Sequence, residues 1–396
     1  MANRTKIYLA GGKEHSLKRF HPWVFSGAIK KIEGEAEEGD VVEVYSKQNE
    51  FLGMGHFSPN SSIAVRVFSF EQTEPDAAFW KRKVEQAYTY RNNLGLANSA
   101  DTNVYRLLYA EGDGVPSLIV DVYKQTAVLQ AHSMGMYRVR EMVAQAIKEV
   151  LGDKITSVYD KSAESLPQKL SAGIENGYIL GDAGAETEVT ENGNKFLVDW
   201  VTGQKTGFFI DQRENRELLA KYAPGRSVLN TFCYTGGFSV YALNAGATEV
   251  HSVDSSKRAI ELTDRNAALT TAADKHESFA IDTFTFLKDK DNRYDLIVLD
   301  PPAFAKSKNV RHNAVMGYKR LNAEAMKKIK PGGILFTFSC SQVVDKYLFH
   351  NTIMAAAIEA GRNIKIMHQL SQPADHPISI FHPEGEYLKG LVLYVE

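Results

Sequence analysis

The spacing of apolar residues changes character twice along this chain. Over residues 1–70 the apolar positions come in short β-rich runs, KIYLA, DVVEVYS, FLGMGHF and SIAVRVFSF, broken by Gly-Gly, Glu-Gly-Asp and Ser-Pro-Asn clusters. Short runs between turn residues predict the strands of a small barrel. Within it, HPWVFSGAIKKIEG predicts a turn and short helix leading into a further strand. After Asp76 the spacing becomes helical through PDAAFWKRKVEQAYTYRNNLG, with Gly95 near its end. SLIVDVYK and TAVLQAHS then predict a hairpin, and MYRVREMVAQAIKEVLG an amphipathic helix closed by Gly152. ITSVYDKS, YILGD and ETEVTENGNKFLVDW are strand-like, the last turning at Asn-Gly. Residues 71–188 therefore predict a small central α+β domain, and no catalytic constellation falls in it.

From about residue 206 strands and helices alternate. RSVLNTF, TEVHSVDSS, SFAIDTF, YDLIVLDPP and GGILFTFS are β-type runs, with NRELLAKYA, GFSVYALNAG, KRAIELTDRNAALT and YKRLNAEAMKKI between them. Regular βα alternation predicts a mainly parallel, Rossmann-like sheet with helices on both faces. Residues 189–396 are assigned to this third domain.

Composition narrows the class only a little. A length of 396 residues suits two or three domains. No apolar stretch approaches the ~20 residues of a membrane helix, and MANRTKIYLAGGKE lacks a signal-peptide core, so a cytoplasmic protein away from membranes is expected. The two cysteines, Cys233 and Cys340, suggest neither a disulfide framework nor a metal site. A net charge of −2 gives no global sign of nucleic acid. Locally, residues 305–330 hold eight bases, Lys306, Lys308, Arg311, Lys319, Arg320, Lys327, Lys328 and Lys330, against the single acid Glu324. That run reads either as a solvated helix face or as a phosphate-contacting rim.

In an open α/β sheet the ligand lies beyond the carboxyl ends of the strands, and each junction here carries a residue type that edge needs. NTFCYTGGFSVYAL places Gly236 and Gly237 where backbone must pass close to a ligand; there is no GxGxxG and no Walker lysine. Asp254 ends the next strand and can accept hydrogen bonds from ribose hydroxyls, while Asp282 ends the third and could take an adenine amine. DLIVLDPPAF is the most specific junction. An aliphatic strand delivers Asp300, Pro301 and Pro302 fix the turn, and Phe304 is set to stack on a planar substrate. After the next strand stands Cys340, which on its own reads as packing.

Together these motifs resemble an S-adenosylmethionine (SAM) dependent Class I methyltransferase. The resemblance implies SAM as cofactor, with Gly236, Gly237, Asp254 and Asp282 as its contacts, and Asp300, Pro301, Pro302 and Phe304 as the substrate lip. Asn230 holds the first-strand position where that family often has an acid. RFHPWVFSGAI and EGDVVEVYSKQNEFLGMG resemble a PUA domain, an RNA-binding barrel; the central domain, with no catalytic constellation, is expected to act as a spacer or to orient RNA. More closely, LVDWVTGQKTGFFIDQRENR, NTFCYTGGFSVYAL, LDPPAFAKSK and FSCS resemble the bacterial large-subunit (23S) rRNA cytosine-5 methyltransferase I family. That implies Cys340 as the thiol nucleophile, Asp300 as the base-contacting acid and ribosomal RNA as partner. It also implies Lys205 at an RNA phosphate and Gln212 and Arg213 lining the cofactor pocket.

The chemistry follows from the base. C5 of a pyrimidine is a poor nucleophile; a thiolate adding to C6 makes C5 enamine-like and able to take the methyl. Many related RNA enzymes carry a second cysteine, for product release, where this chain has Pro302; Cys233 lies on the first-strand loop and reads as packing. The group that removes the C5 proton is left open, with ordered water or Asp300 as candidates. N-methylation of an exocyclic amine, such as N2 of guanine, is the alternative that needs no thiol. A non-catalytic RNA-binding module and a Rossmann dehydrogenase fit the strand-end residues less well. The sequence does not disclose oligomeric state, a homodimer included.

Overall fold

The computed structural model describes residues 4–288, 294–305 and 308–396. Backbone contacts gather the chain into two compact units, Met1–Val189 with Val198–Ile210 and Ala374–Gly385, and Thr190–Leu197 with Asp211–Pro373 and Glu386–Glu396.

The first unit contains a six-stranded sheet lying within Lys6–Ser69 and a five-stranded sheet drawn from Val104–Leu180. In the six-stranded sheet, WVF of the segment predicted as turn and helix is instead a strand, Trp23–Phe25, paired antiparallel with Ile63–Ser69. Its aromatic and β-branched residues suit a pleated, half-buried surface; helix is confined to one turn at His15–Lys18 and a 3-10 turn at Ser26–Ala28. Asp76 caps the helix Ala77–Asn93 by accepting from the Phe79 N–H at 2.9 Å. Leu118–Tyr123 and Thr126–Ala131 form the expected antiparallel hairpin. The amphipathic segment divides at β-branched Val139 into Met134–Arg138 and Arg140–Leu151. One strand escaped the sequence reading, Val104–Tyr109, which pairs with Leu118–Tyr123. Arg106 interrupts its apolar run, yet this arginine is matched at 2.8 Å by the fully buried Asp121. The Asn192–Gly193 turn has φ of 48° and 76°, the positive pair a two-residue hairpin demands.

Strands and helices of the second unit are numbered here in chain order: β1 (Ser227–Thr231), β2 (Glu249–Asp254), β3 (His276–Ala280), β4 (Tyr294–Leu299), β5 (Ile329–Ser339), β6 (Ile364–Leu370) and β7 (Lys389–Val395). Among the described residues they form one seven-stranded sheet in the order β3-β2-β1-β4-β5-β7-β6. The first five are mutually parallel, and β7 is antiparallel to both β5 and β6. Helices α1 (Arg213–Tyr222), α2 (Gly237–Asn244), α3 (Lys257–Ala267), α4 (Thr283–Lys288), α5 (Arg311–Lys328) and α6 (Lys346–Ala360) flank it.

Strand alternation builds two cores, one per face. Val228, Leu296, Val298, Ile334, Phe336 and Phe338 pack with Leu219 of α1 and Phe238 of α2. Leu229, Ile297, Leu299 and Leu335 pack with Tyr318 and Leu321 of α5 and with Phe349 of α6. This is the α/β, Rossmann-like sheet expected, and it fixes which strand ends are neighbours.

Gly390 on β7 has no room for a side chain, since an added Cβ would stand 2.6 Å from Cδ1 of Phe338. Gly390→Ala is expected to lose about 1–3 kcal/mol by overpacking, read as a lower urea midpoint with an unchanged slope.

Candidate functional site

The glycine loop after β1 is strained and braced. Phe232, Tyr234 and Gly236 all have positive φ, at 53°, 48° and 76°. Two of the three are not glycine, a conformation that persists only when its surroundings enforce it. The bracing comes from α3, where Thr263 donates to the Tyr234 carbonyl at 2.9 Å and Asn266 to the Thr235 carbonyl at 2.8 Å. At Gly236 a Cβ would approach Thr263 Cγ2 to 2.8 Å, so only glycine can start α2 here. Asn230 is buried and donates to Ser239 at 2.9 Å, tying β1 to α2.

Asp254 ends β2, and its two oxygens accept the N–H groups of Tyr234 at 3.1 Å and Ser256 at 2.9 Å. Each oxygen keeps a further lone pair, which fits a carboxylate that also receives ribose hydroxyls. Asp282 is exposed and caps α4 through the Thr285 N–H at 3.0 Å. A capping role accounts for that acid by itself, leaving one of its oxygens for a ligand.

The corner beyond β4 and β5 gathers the reactive groups. Leu299 sits opposite Thr337, so Asp300 and Cys340 follow at the same edge, on strands about 4.8 Å apart. They extend the parity of Val298 and Phe338, and Cys340 adjoins the same core cluster as those two. Gln212, just before α1, donates to Asp300 Oδ2 at 3.0 Å. Burial, followed by the charge of Asp211, pushes the Asp300 carboxyl up to about 7. Burial also pushes the Cys340 thiol up to about 11, with Asp300 and Asp211 adding to the rise and Lys389 opposing it.

Lys389, Asp211 and Tyr387 were not found from sequence. Lys389 opens β7 opposite Ser339 and donates to the Ser341 carbonyl at 2.7 Å. Lys389 is only 5% exposed, and burial brings its pKa down to about 8. A lysine heading the apolar strand KGLVLYV was the available signal. Asp211 lies one residue before the predicted Gln212 and accepts from the Tyr387 hydroxyl at 2.6 Å. Nothing in the local sequence marks Tyr387.

The remaining predicted residues divide. Arg213 is buried in the first turn of α1, and Cys233 is buried against Thr263 at 3.5 Å, its thiol pushed up to about 12 by burial. Pro301 is buried and Pro302 exposed. Phe304 rests on Tyr318, ring centroids 4.7 Å apart. Lys205 is exposed and belongs to the first unit. In the basic run, Lys319, Lys327 and Lys330 are matched to Glu359, Glu324 and Asp295 at 2.8, 3.0 and 2.9 Å, and Arg320 lies over Phe284. Those pairings favour the solvated-face reading for that part; Lys306 lies outside the described residues.

A family model described as a PUA-like domain matches residues 7–70, and one described as an S-adenosylmethionine-dependent methyltransferase matches residues 171–382. Ribosomal RNA large subunit methyltransferase I of Aeromonas hydrophila subsp. hydrophila is 41% identical over 396 residues, covering 98% of this chain and 99% of that one. The protein of the same name from Aliivibrio fischeri is 40% identical over 397 residues, covering 99% of each. In fold, the chain is similar to the solved structure of SMU.776 complexed with SAH, with a TM-score of 0.84 at 23% identity over 98% of this chain and 100% of that one. A sheet of this order, a glycine loop after β1 and acids at the following strand ends are those of a Class I SAM-dependent methyltransferase, with SAM as cofactor. Within that class, the chain belongs to the ribosomal RNA large subunit methyltransferase I family, with a PUA-like domain at its N-terminal end.

Because the folded pKa of Asp300 lies above the usual carboxylate value, its ionisation costs stability. That stability is present at low pH and lost as pH rises through about 7. Asp300→Asn is therefore expected to melt at a higher temperature than the parent chain above pH 7. The difference should shrink as pH falls toward 5, which a series of calorimetric scans measures.

Proposed function

We propose that this chain transfers a methyl group from SAM to C5 of a cytosine in large-subunit ribosomal RNA, through a covalent bond between Cys340 and C6. The observation that carries the reading is the pairing of Leu299 with Thr337, which delivers an acid and a thiol to one strand edge. When bound, SAM supplies the electrophilic methyl. Asp254 would hold the ribose, and the braced loop at Gly236 and Gly237 would lie along the methionine moiety. Cys340 adds to C6 while Asp300 donates a proton to N3 of the ring, drawing electrons away from C6 and on toward C5 when the bond forms.

An acid raised to about 7 suits that task, since a sizeable fraction is protonated at neutral pH. Lys389 would stabilise the developing thiolate. RNA as the substrate is supported by the relatives' names and by a groove of about 490 Å³ in the first unit. Phe20, Phe70 and Phe381 line it, Phe20 packed against each of the other two, with Arg82 and Lys83 beside Phe79. Phe20 and Phe381 are about half exposed, and such rings with cations lining the same groove suit unpaired bases and their phosphates.

The reactive state carries one proton over the Asp300–Cys340 pair, a count that holds between about 7 and about 11. Single-turnover methylation should fall roughly tenfold per pH unit below 7 and stay level to pH 9. Cys340→Ala should abolish methylation while still binding S-adenosylhomocysteine in calorimetry. Bisulfite sequencing of ribosomal RNA from cells lacking the gene should show one cytosine losing protection; full activity of Cys340→Ala would instead support amine methylation.

A further inference from the structure

The cytosine-C5 reading leaves one proton without a destination. After methyl transfer C5 carries both hydrogen and methyl, and C6 remains bonded to sulfur. Pro302 occupies the position where a second thiol would serve release, and Asp300 is committed to N3. Three observations converge on another group. Asp211 precedes Gln212, whose amide is bonded to Asp300 Oδ2 at 3.0 Å. Its Oδ2 accepts from the Tyr387 hydroxyl at 2.6 Å, which fixes the carboxylate's orientation. Its Oδ1 is buried and has no hydrogen-bond partner among the described residues, an acceptor whose desolvation none of them offsets.

We propose that Asp211 is the general base that removes the C5 proton and frees Cys340, with Tyr387 as its positioning residue. This rests on the cytosine-C5 reading. The step balances: Asp211 Oδ1 takes the C5 proton, and the C5–H electron pair forms the C5=C6 bond. The C6–S bond breaks, and its pair leaves on Cys340 as thiolate. A thiol on one face of the ring and the arriving methyl on the other leave that proton on the thiol's face. To take it, Asp211 has to reach that face, and its charge is felt at both the Cys340 thiol and the Asp300 carboxyl. The partnerless oxygen then has an occupant at one stage of the cycle.

The probe is in vitro transcribed large-subunit ribosomal RNA labelled with tritium at cytosine C5, mixed with SAM and the full-length chain. The parent chain should release tritium to water and turn over. Asp211→Asn should accumulate a methylated protein–RNA adduct stable on a denaturing gel, with tritium release and turnover reduced about 10²–10⁴-fold. Tyr387→Phe, a milder change, should lower kcat with little effect on KM and lengthen the adduct's lifetime. Unchanged S-adenosylhomocysteine binding and melting temperature would certify the fold of both variants. Release of tritium by Asp211→Asn at the parent rate would overturn the role of Asp211 and leave the C5 reading standing. If the parent chain methylates the RNA but neither releases tritium nor forms a Cys340-dependent adduct, the C5 reading falls, and this proposal with it.

Discussion

The in-register parallel pairing of β4 with β5 is the constraint on which the rest of this molecule's chemistry depends. Leu299 opposite Thr337 brings the ends of both strands to one level, and the period of two then sends Asp300 and Cys340 toward the same side. A slip of one residue would turn one of them to the opposite face. Register is held because both faces are buried, one by α1 and α2, the other by α5 and α6. Antiparallel β7 completes the corner by setting Lys389 opposite Ser339. Backbone pairing thus does the positioning, and the side chains need little freedom of their own.

Desolvation dominates the electrostatics of that corner. It raises the carboxyl of Asp300 and the thiol of Cys340, and it lowers the ammonium of Lys389. All three shifts disfavour charge, as burial requires. The Arg216–Glu191 pair behaves differently. It is buried but doubly bonded, both contacts at 2.8 Å, and Tyr241 also donates to Glu191. A satisfied pair of that kind anchors α1 without offering chemistry. The contrast separates the structural charges from the groups held short of partners.

What could be read from sequence was whatever repeats at a strand end. The βα rhythm, the glycines after β1, the acids after β2 and β3 and the DPP turn after β4 each occupy an equivalent place, so one stands as context for the next. The strand Val104–Tyr109 was hidden because Arg106 breaks its apolar run, and Asp121, from a neighbouring strand, offsets that arginine's charge. The basic run was visible as charge, but the carboxylates that neutralise part of it, Asp295 and Glu359, come from β4 and α6. Strain at Phe232 and Tyr234 is invisible in principle, since neither residue type favours positive φ and the bracing arrives from α3. Lys389 and Tyr387 reach the corner at the start of, and just before, a strand that is last in sequence and inserted beside β5 in space.

Position 302 shows how the two prolines shape the site. Pro301 is buried and Pro302 exposed, so the turn that fixes Asp300 carries its second residue out toward solvent. A rigid turn holds the acid at little entropic cost, because proline has already surrendered φ. It also means that this turn offers the ring no second functional group from the β4 side. The segment leading into α1 and the start of β7 each bring a further polar group to this corner. Those are the two places where the structure puts a carboxylate with an unbonded oxygen and an ammonium of lowered pKa. The sheet sets that arrangement: β4 and β5 bring Asp300 and Cys340 to one edge, and the segment before α1 and the start of β7 bring Asp211 and Lys389 to the same corner.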